Sequence, residues 1–191
     1  MKTVAMFVGS LRHDSNNLKF ARALEKLASG RLTFVYPDIG SLPHYNDDLW
    51  ANPPESVLTL KRQLNDADAV IFVTPEYNRS IPGVLKNAID WASRPYGSSA
   101  WVEKPASIIG TTPGVIGTAV AQSQLRSIAV VLQMIVMGQP EVYFQLKPGL
   151  STENFEVTDD QTREFLEGYL ARFERWIDLV GPQRSVAVAA E

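Results

Sequence analysis

The sequence predicts an α/β fold with three layers, a five-stranded parallel sheet between two layers of helices. Three observations carry this. Short, continuously apolar runs alternate with longer segments of helical periodicity. The runs are apolar on both faces, as in a parallel sheet covered on both sides. The chain has 191 residues, 45% hydrophobic and 20% charged, enough for one domain with a buried core.

The elements follow in order. Thr3 to Val8 reads as a buried first strand and not as a signal peptide, because it runs into Gly9-Ser10-Leu11-Arg12 without a small-residue cleavage site. Leu18 to Leu27 carries Leu18, Ala21, Leu24 and Leu27 at helical spacing. Arg31 to Tyr36 is a second strand closed by Pro37-Asp38, and Ile39 to Pro54 is a loop rich in Pro, Asn and Asp. Ser56 to Ala67 is a helix, and Ala69 to Thr74 is a third strand with β-branched residues. Gly83 to Ala92 is a helix that starts just after a proline. Arg94 to Lys104 is a loop, Pro105 to Gly110 a fourth strand, Gly117 to Leu132 a long helix and Met134 to Met137 a short fifth strand. Asp159 to Val180 is the closing helix, with Phe165, Tyr169, Phe173 and Trp176 along one face, and the tail from Gly181 is expected to fray. Residues 1–180 are thus expected to form one domain, 181–191 a flexible tail. Five such strands suit the flavodoxin-like order 2-1-3-4-5, whose ligands sit beyond the carboxyl ends of the strands, where strands 1 and 3 diverge.

Three loops reach that place. Gly9 to Asn17 follows strand 1 and opens a helix, so its backbone N–H groups suit a phosphate. Ser10, Ser15 and Asn17 add neutral donors and Arg12 a charged fork. Neither the Walker pattern nor the dinucleotide glycine pattern is present, which points to a monophosphate. The same Ser and Asn residues also make an ordinary capping cluster. Pro75 to Gly83 follows strand 3, stiffened by two prolines, with Tyr77 offering a ring face; an ordinary turn with one packed tyrosine is the plainer reading. Thr111-Thr112-Pro113-Gly114-Val115-Ile116-Gly117 follows strand 4, where small residues admit close approach and the next helix would direct its N-terminus at negative charge on a ligand. Alone, it is also a plain Gly/Pro turn.

Composition narrows the chemistry. A net charge of −3 gives no basic field for nucleic acid or anionic lipid. The longest near-apolar run, Ile128 to Met137, falls far short of the roughly 20 residues of a membrane span. Without cysteine there are no disulfides, thiolate metal sites or thiol nucleophiles, which fits the cytoplasm, and redox chemistry would have to come from a bound cofactor. His13 and His44 are too few for a His-rich metal site, Asp47-Asp48 and Glu103-Lys104 read as solvated turns, and Trp50, Trp101 and Trp176 as core or interface residues.

Taken together the loops resemble the NAD(P)H-dependent FMN reductase family, which includes bacterial soluble quinone and chromate reductases. The residues that carry the resemblance are Gly-Ser-Leu-Arg-x-x-Ser-x-Asn at 9–17, Thr-Pro-Glu-Tyr-Asn-x-Ser-x-Pro-Gly-x-Leu-Lys-Asn-Ala-Ile-Asp-Trp at 74–91 and Pro-Gly-x-Ile-Gly at 113–117. The middle motif is long and specific. The resemblance implies FMN, with its phosphate at Ser10, Arg12, Ser15 and Asn17. It places the ring against Pro75, Glu76, Tyr77 and Asn78, with Thr111, Thr112, Pro113, Gly114 and Gly117 alongside, and counts Leu18 and Ser80 among the cofactor-binding residues. It also implies NADPH or NADH as electron donor and a small acceptor (quinone, free flavin, azo compound or chromate); with no cysteine, metal site or Ser–His pair to act as nucleophile, a ping-pong cycle on the cofactor is expected. A homodimer or homotetramer is expected, packed near the Lys86 to Trp91 helix, where Leu85, Ile89 and Trp91 face either a partner or the core. The alternative is a flavodoxin-like electron carrier without NAD(P)H turnover. Such carriers are commonly strongly acidic, and the charge of −3 and Arg12 weigh against it. A receiver-type signalling domain is set aside, because Ser10-Leu11-Arg12 and Pro75-Glu76 stand where its acidic residues would be.

Overall fold

The computed structural model describes residues 1–145 and 154–181. The elements are β1 (Lys2–Val8), α1 (Asn16–Leu27), β2 (Leu32–Val35), a 3-10 turn (Asp47–Ala51), α2 (Glu55–Asp66), β3 (Ala69–Val73), α3 (Gly83–Ala92), β4 (Pro105–Thr112), α4 (Ala119–Val131), β5 (Ile135–Val136), β6 (Val142–Gln145) and α5 (Asp160–Val180). All strand pairings are parallel, in the order β2-β1-β3-β4-β5, with β6 also on β4.

The expected order therefore holds, with one difference. The fifth position holds two segments: β5 pairs with Pro105 and Ala106 of β4, and β6 pairs with Ile109 to Thr112. Val142 to Gln145 is short and follows a Gly-Gln-Pro stretch, so no periodicity marks it. β4 also runs two residues beyond its expected end, which makes Thr111 and Thr112 strand residues rather than loop residues. In the loop after β2, Asp47 and Asp48 open the 3-10 turn.

The layers follow from strand alternation. Ala5 and Phe7 of β1 and Val70 and Phe72 of β3 face one core with α2, α3 and α4, while Val4, Met6, Ile71 and Val73 face a second with α1 and α5. Each helix lays an apolar stripe on the sheet. On α5 that stripe is Leu166, Tyr169, Leu170, Phe173 and Ile177, so Phe165, expected to share one face with Tyr169 and Phe173, stands 43% exposed, and Trp176 is half-buried. Leu85, Ile89 and Trp91 are buried in the first core, with the Trp91 indole donating to the Pro43 carbonyl at 2.8 Å. Of the two readings the sequence left open for them, partner or core, they take the core. Trp101 is also buried, and Lys104, expected to be solvated, reaches the Ala67 carbonyl at 2.7 Å, its pKa lowered by burial. The frayed tail expected past Gly181 lies outside the described residues.

Candidate functional site

Three strands end side by side. Val8 pairs with Val73, the Gly9 N–H donates to the Val73 carbonyl at 3.0 Å, and the Thr74 N–H donates to the Ile109 carbonyl at 2.9 Å. From here β1 leads to α1 on one face of the sheet and β3 leads to α3 on the other, so a crevice must open between the two connections. Gly9 lets the chains meet: a Cβ there would lie 3.1 Å from Pro75 Cδ and 3.3 Å from Thr74 Oγ1.

The crevice is a cleft of about 190 Å³. Ser10, Arg12, Ser15, Asn16 and Asn17 line it from the first loop, Pro75, Glu76 and Tyr77 from the second, and Thr111, Thr112 and Pro113 from the end of β4. Two larger hollows, about 400 Å³ beside Lys26 and Phe155 and about 270 Å³ beside Tyr96 and Val131, lie where α1 and α4 end. Those helix ends are at the amino ends of the strands, away from this convergence.

The first loop both caps a helix and presents donors. Ser15 is the N-cap of α1, its hydroxyl oxygen accepting from the Leu18 N–H at 3.2 Å. The first intrahelical bond runs from the Lys19 N–H to the Ser15 carbonyl, so the N–H groups of Asn16 and Asn17 remain open at the helix mouth. Asp14 is ion-paired with Lys19, whose hydrogen bond and charge hold its carboxyl below the usual range. Arg12 is exposed, and its guanidinium makes no hydrogen bond or ion pair with a described residue. Free donors thus converge on one end of the cleft, as an anion the size of a phosphomonoester requires. Asn16 was missed in the sequence; its place directly after the capping serine was the available signal.

Asn17 is used differently. Its side chain is 3% exposed and pairs twice with the backbone of Thr111: Nδ2 donates to the carbonyl and Oδ1 accepts from the N–H, both at 3.0 Å. This amide-to-backbone clasp ties α1 to the end of β4. Beside it, the buried Thr111 Oγ1 has no partner among the described residues.

The second loop is stiff for a definable reason. Tyr77 and Ser80 exchange backbone bonds at 2.9 and 3.0 Å, and Asn78 and Arg79 between them have φ of 52° and 65°. Positive φ at both central residues is the type I′ turn, which favours asparagine first and strains a side chain at the second. The turn projects the Tyr77 ring, 47% exposed, at the cleft mouth. Ser80 is turned away: its hydroxyl donates to Gln124 Oε1 at 2.7 Å. Glu76 Oε2 accepts from the N–H groups of Val120 and Ala121 at 3.1 and 3.2 Å, so the N-terminus of α4, expected to face a ligand, is taken by a carboxylate. Gly114 and Gly117 shape the third loop without lining the cleft. Gly117 has φ of 62°, and a Cβ there would lie 2.6 Å from the Tyr143 carbonyl oxygen. Leu18, Asn78 and Ser80 likewise stand behind the lining.

A parallel sheet in the order 2-1-3-4-5, with an anion-ready helix mouth and a rigid tyrosine turn at its switch point, defines a flavodoxin-like α/β protein. Within that class the chain belongs to the NADPH-dependent FMN reductase family, whose model matches residues 1–149. It is 46% identical over 174 residues to a 2-hydroxy-1,4-benzoquinone reductase of Burkholderia sp, covering 91% of this chain and 95% of that one. It is 39% identical over 181 residues to a quinone reductase of Escherichia coli strain K12, covering 93% and 96%. Among solved structures it is similar to FerB, a flavoenzyme NAD(P)H:(acceptor) oxidoreductase from Paracoccus denitrificans, at 52% identity and a TM-score of 0.94 over 95% of this chain and 100% of that one. A flavodoxin, WrbA-like protein from Agrobacterium tumefaciens shares the fold at 20% identity and a TM-score of 0.60, over 94% and 98%.

Proposed function

We propose that this protein is an FMN-dependent NAD(P)H oxidoreductase that passes electrons to a small acceptor of the quinone type, with free flavin, azo compounds and chromate as further acceptors. The observation that carries this reading is the cleft itself, in which unpaired donors converge on one end and a rigid aromatic turn borders the other. The donor set fits the single phosphate of FMN: Arg12 and Ser10, the Ser15 hydroxyl hydrogen, and the N–H groups of Asn16 and Asn17. The chain carries no second glycine-rich loop for a pyrophosphate. The ring then lies against Pro75, Glu76 and Tyr77, beside Thr111, Thr112 and Pro113.

Bound FMN supplies the redox chemistry, taking hydride from NADPH or NADH and returning the electrons to the acceptor. The chain positions and excludes. Its helix mouth anchors the phosphate, the Asn17–Thr111 clasp fixes the two walls that meet there, and the type I′ turn holds Tyr77 at the opening. A cleft of about 190 Å³ bordered by the exposed Tyr77 favours donor and acceptor taking turns, a ping-pong cycle.

Residues 1–180 act in this reading as one domain, working in the cytoplasm; among the described residues no helix is long and apolar enough to cross a membrane. A homodimer or homotetramer is supported by Leu11, Tyr77, Val115 and Ile116, which are exposed on the three loops around the cleft and are left to a second copy now that Leu85, Ile89 and Trp91 are buried. The test is an absorption spectrum of the protein with FMN, then steady-state rates with NADPH and NADH against a benzoquinone. Flavin binding and parallel double-reciprocal lines are expected. Absence of FMN binding sinks the reading; intersecting lines sink the shared opening; FMN binding without NAD(P)H oxidation returns the electron carrier.

A further inference from the structure

The N-terminus of α4 is capped from another part of the chain. Its own cap residue, Thr118, has φ of 66° and makes no side-chain capping bond. A threonine at this position ordinarily accepts from an N–H of the first turn. Here its hydroxyl is turned inward, where it accepts from the buried Gln122 Nε2 at 3.0 Å. The missing acceptor is supplied by Glu76, 44 and 45 residues earlier, whose Oε2 takes the N–H groups of Val120 and Ala121. Its Oε1 lies 3.3 Å from Arg79 Nη1, and the Glu76 side chain is 12% exposed against 65% for Arg79.

Glu76 lines the cleft and its carboxylate is held at the adjoining N-terminus of α4, so its charge acts on whatever the cleft holds. A helix N-terminus carries roughly half a positive charge, which by itself would favour negative charge on a neighbouring ligand. A mostly buried carboxylate seated on that terminus reverses the sign, because its full charge exceeds the helix end and its exposed arginine partner is screened by water.

We infer that Glu76 is a positioning residue that latches the loop after β3 to α4 and, through its charge, holds down the reduction potential of FMN in the cleft. The inference rests on the FMN reading above. Adding electrons to the ring builds negative charge beside Glu76, so the reduced form is disfavoured and a bound flavin gives its electrons up more readily to an acceptor.

The experiment is an anaerobic potentiometric titration of the FMN-loaded protein and of Glu76→Gln, preceded by an FMN-binding titration of each. The amide oxygen of Glu76→Gln can still accept from Val120 and Ala121, so the latch stays and only the charge goes. The expected result is retained FMN binding and a midpoint at least about 30 mV more positive, a tenfold change in the two-electron equilibrium. Arg79→Ala removes the exposed partner of the same carboxylate and is expected to shift the midpoint in the negative direction, and it keeps the test available if Glu76→Gln does not fold. An unchanged midpoint in Glu76→Gln with FMN bound, or a positive shift in Arg79→Ala, overturns the role of Glu76 and leaves the FMN reading standing. Absence of FMN binding by the parent protein overturns both.

Discussion

Asn17 stands where the sequence expected a phosphate donor, and the structure gives it a sharper test. Its buried amide pairs with both backbone polar groups of Thr111. Asn17→Ala leaves the buried Thr111 N–H and carbonyl without that partner. Each unsatisfied buried group costs about 1–3 kcal/mol, so a total loss of about 2–6 kcal/mol is expected for the two. For a chain of this size that lowers the melting temperature by about 4–24 °C. Asn17→Asp keeps the shape but sets a carboxylate oxygen against the Thr111 carbonyl, which favours the protonated acid in the fold. The folded pKa is then raised above the unfolded value of about 3.9. The folded state therefore holds more protons, so the penalty is absent below the unfolded pKa and grows as pH rises through the folded one. Thermal melts of the FMN-free protein from pH 4 to pH 8 read both effects. Should Asn17→Ala lose less than about 1 kcal/mol, below one ordinary buried hydrogen bond, the clasp is not what holds α1 to β4. If it melts like the parent but no longer binds FMN, Asn17 is a phosphate ligand after all.

The other predictions concern the same cleft. Arg12→Ala should weaken FMN binding about tenfold to a hundredfold, the worth of one charge-assisted bond, with the FMN-free melting temperature unchanged. That loss should shrink in high salt, and equal affinity for mutant and parent in a fluorescence titration would remove Arg12 from the site. Ser15→Ala should weaken FMN less than Arg12→Ala but should lower stability by about 1 kcal/mol in denaturant melts, as removal of an N-cap does. Gly117→Ala combines a φ of 62° with a Cβ pressed on the Tyr143 backbone, so it should destabilise the fold by more than about 2 kcal/mol; a thermal melt within error of the parent contradicts this. Tyr77→Phe should keep most of the quinone reductase turnover, because the ring borders an opening that water can supply with protons; a hundredfold fall in kcat would assign its hydroxyl a proton-transfer role.

The sequence by itself determined the strand order, the three loops that meet at the switch point and the family. These are local records. An apolar run on both faces means a strand in a covered parallel sheet, helical spacing means a crossover, and the motif at 74–91 is contiguous. In the first loop the capping reading holds at Ser15, while Arg12, Asn16 and the open N–H groups stay available to a ligand. Tertiary structure alone decided which side chains remain free for a ligand. Asn17 and Thr111 are 94 residues apart, and Glu76 finds its partners 44 and 45 residues on, so nothing near any of them in the chain announces the pairing. The fate of Leu85, Ile89 and Trp91 was undecided for the same reason, because core and interface positions share one apolar composition until the packing of α3 is known. β6 is the remaining case: four residues are too few for periodicity to speak, and only the exposed edge of β4 gives them a place to pair.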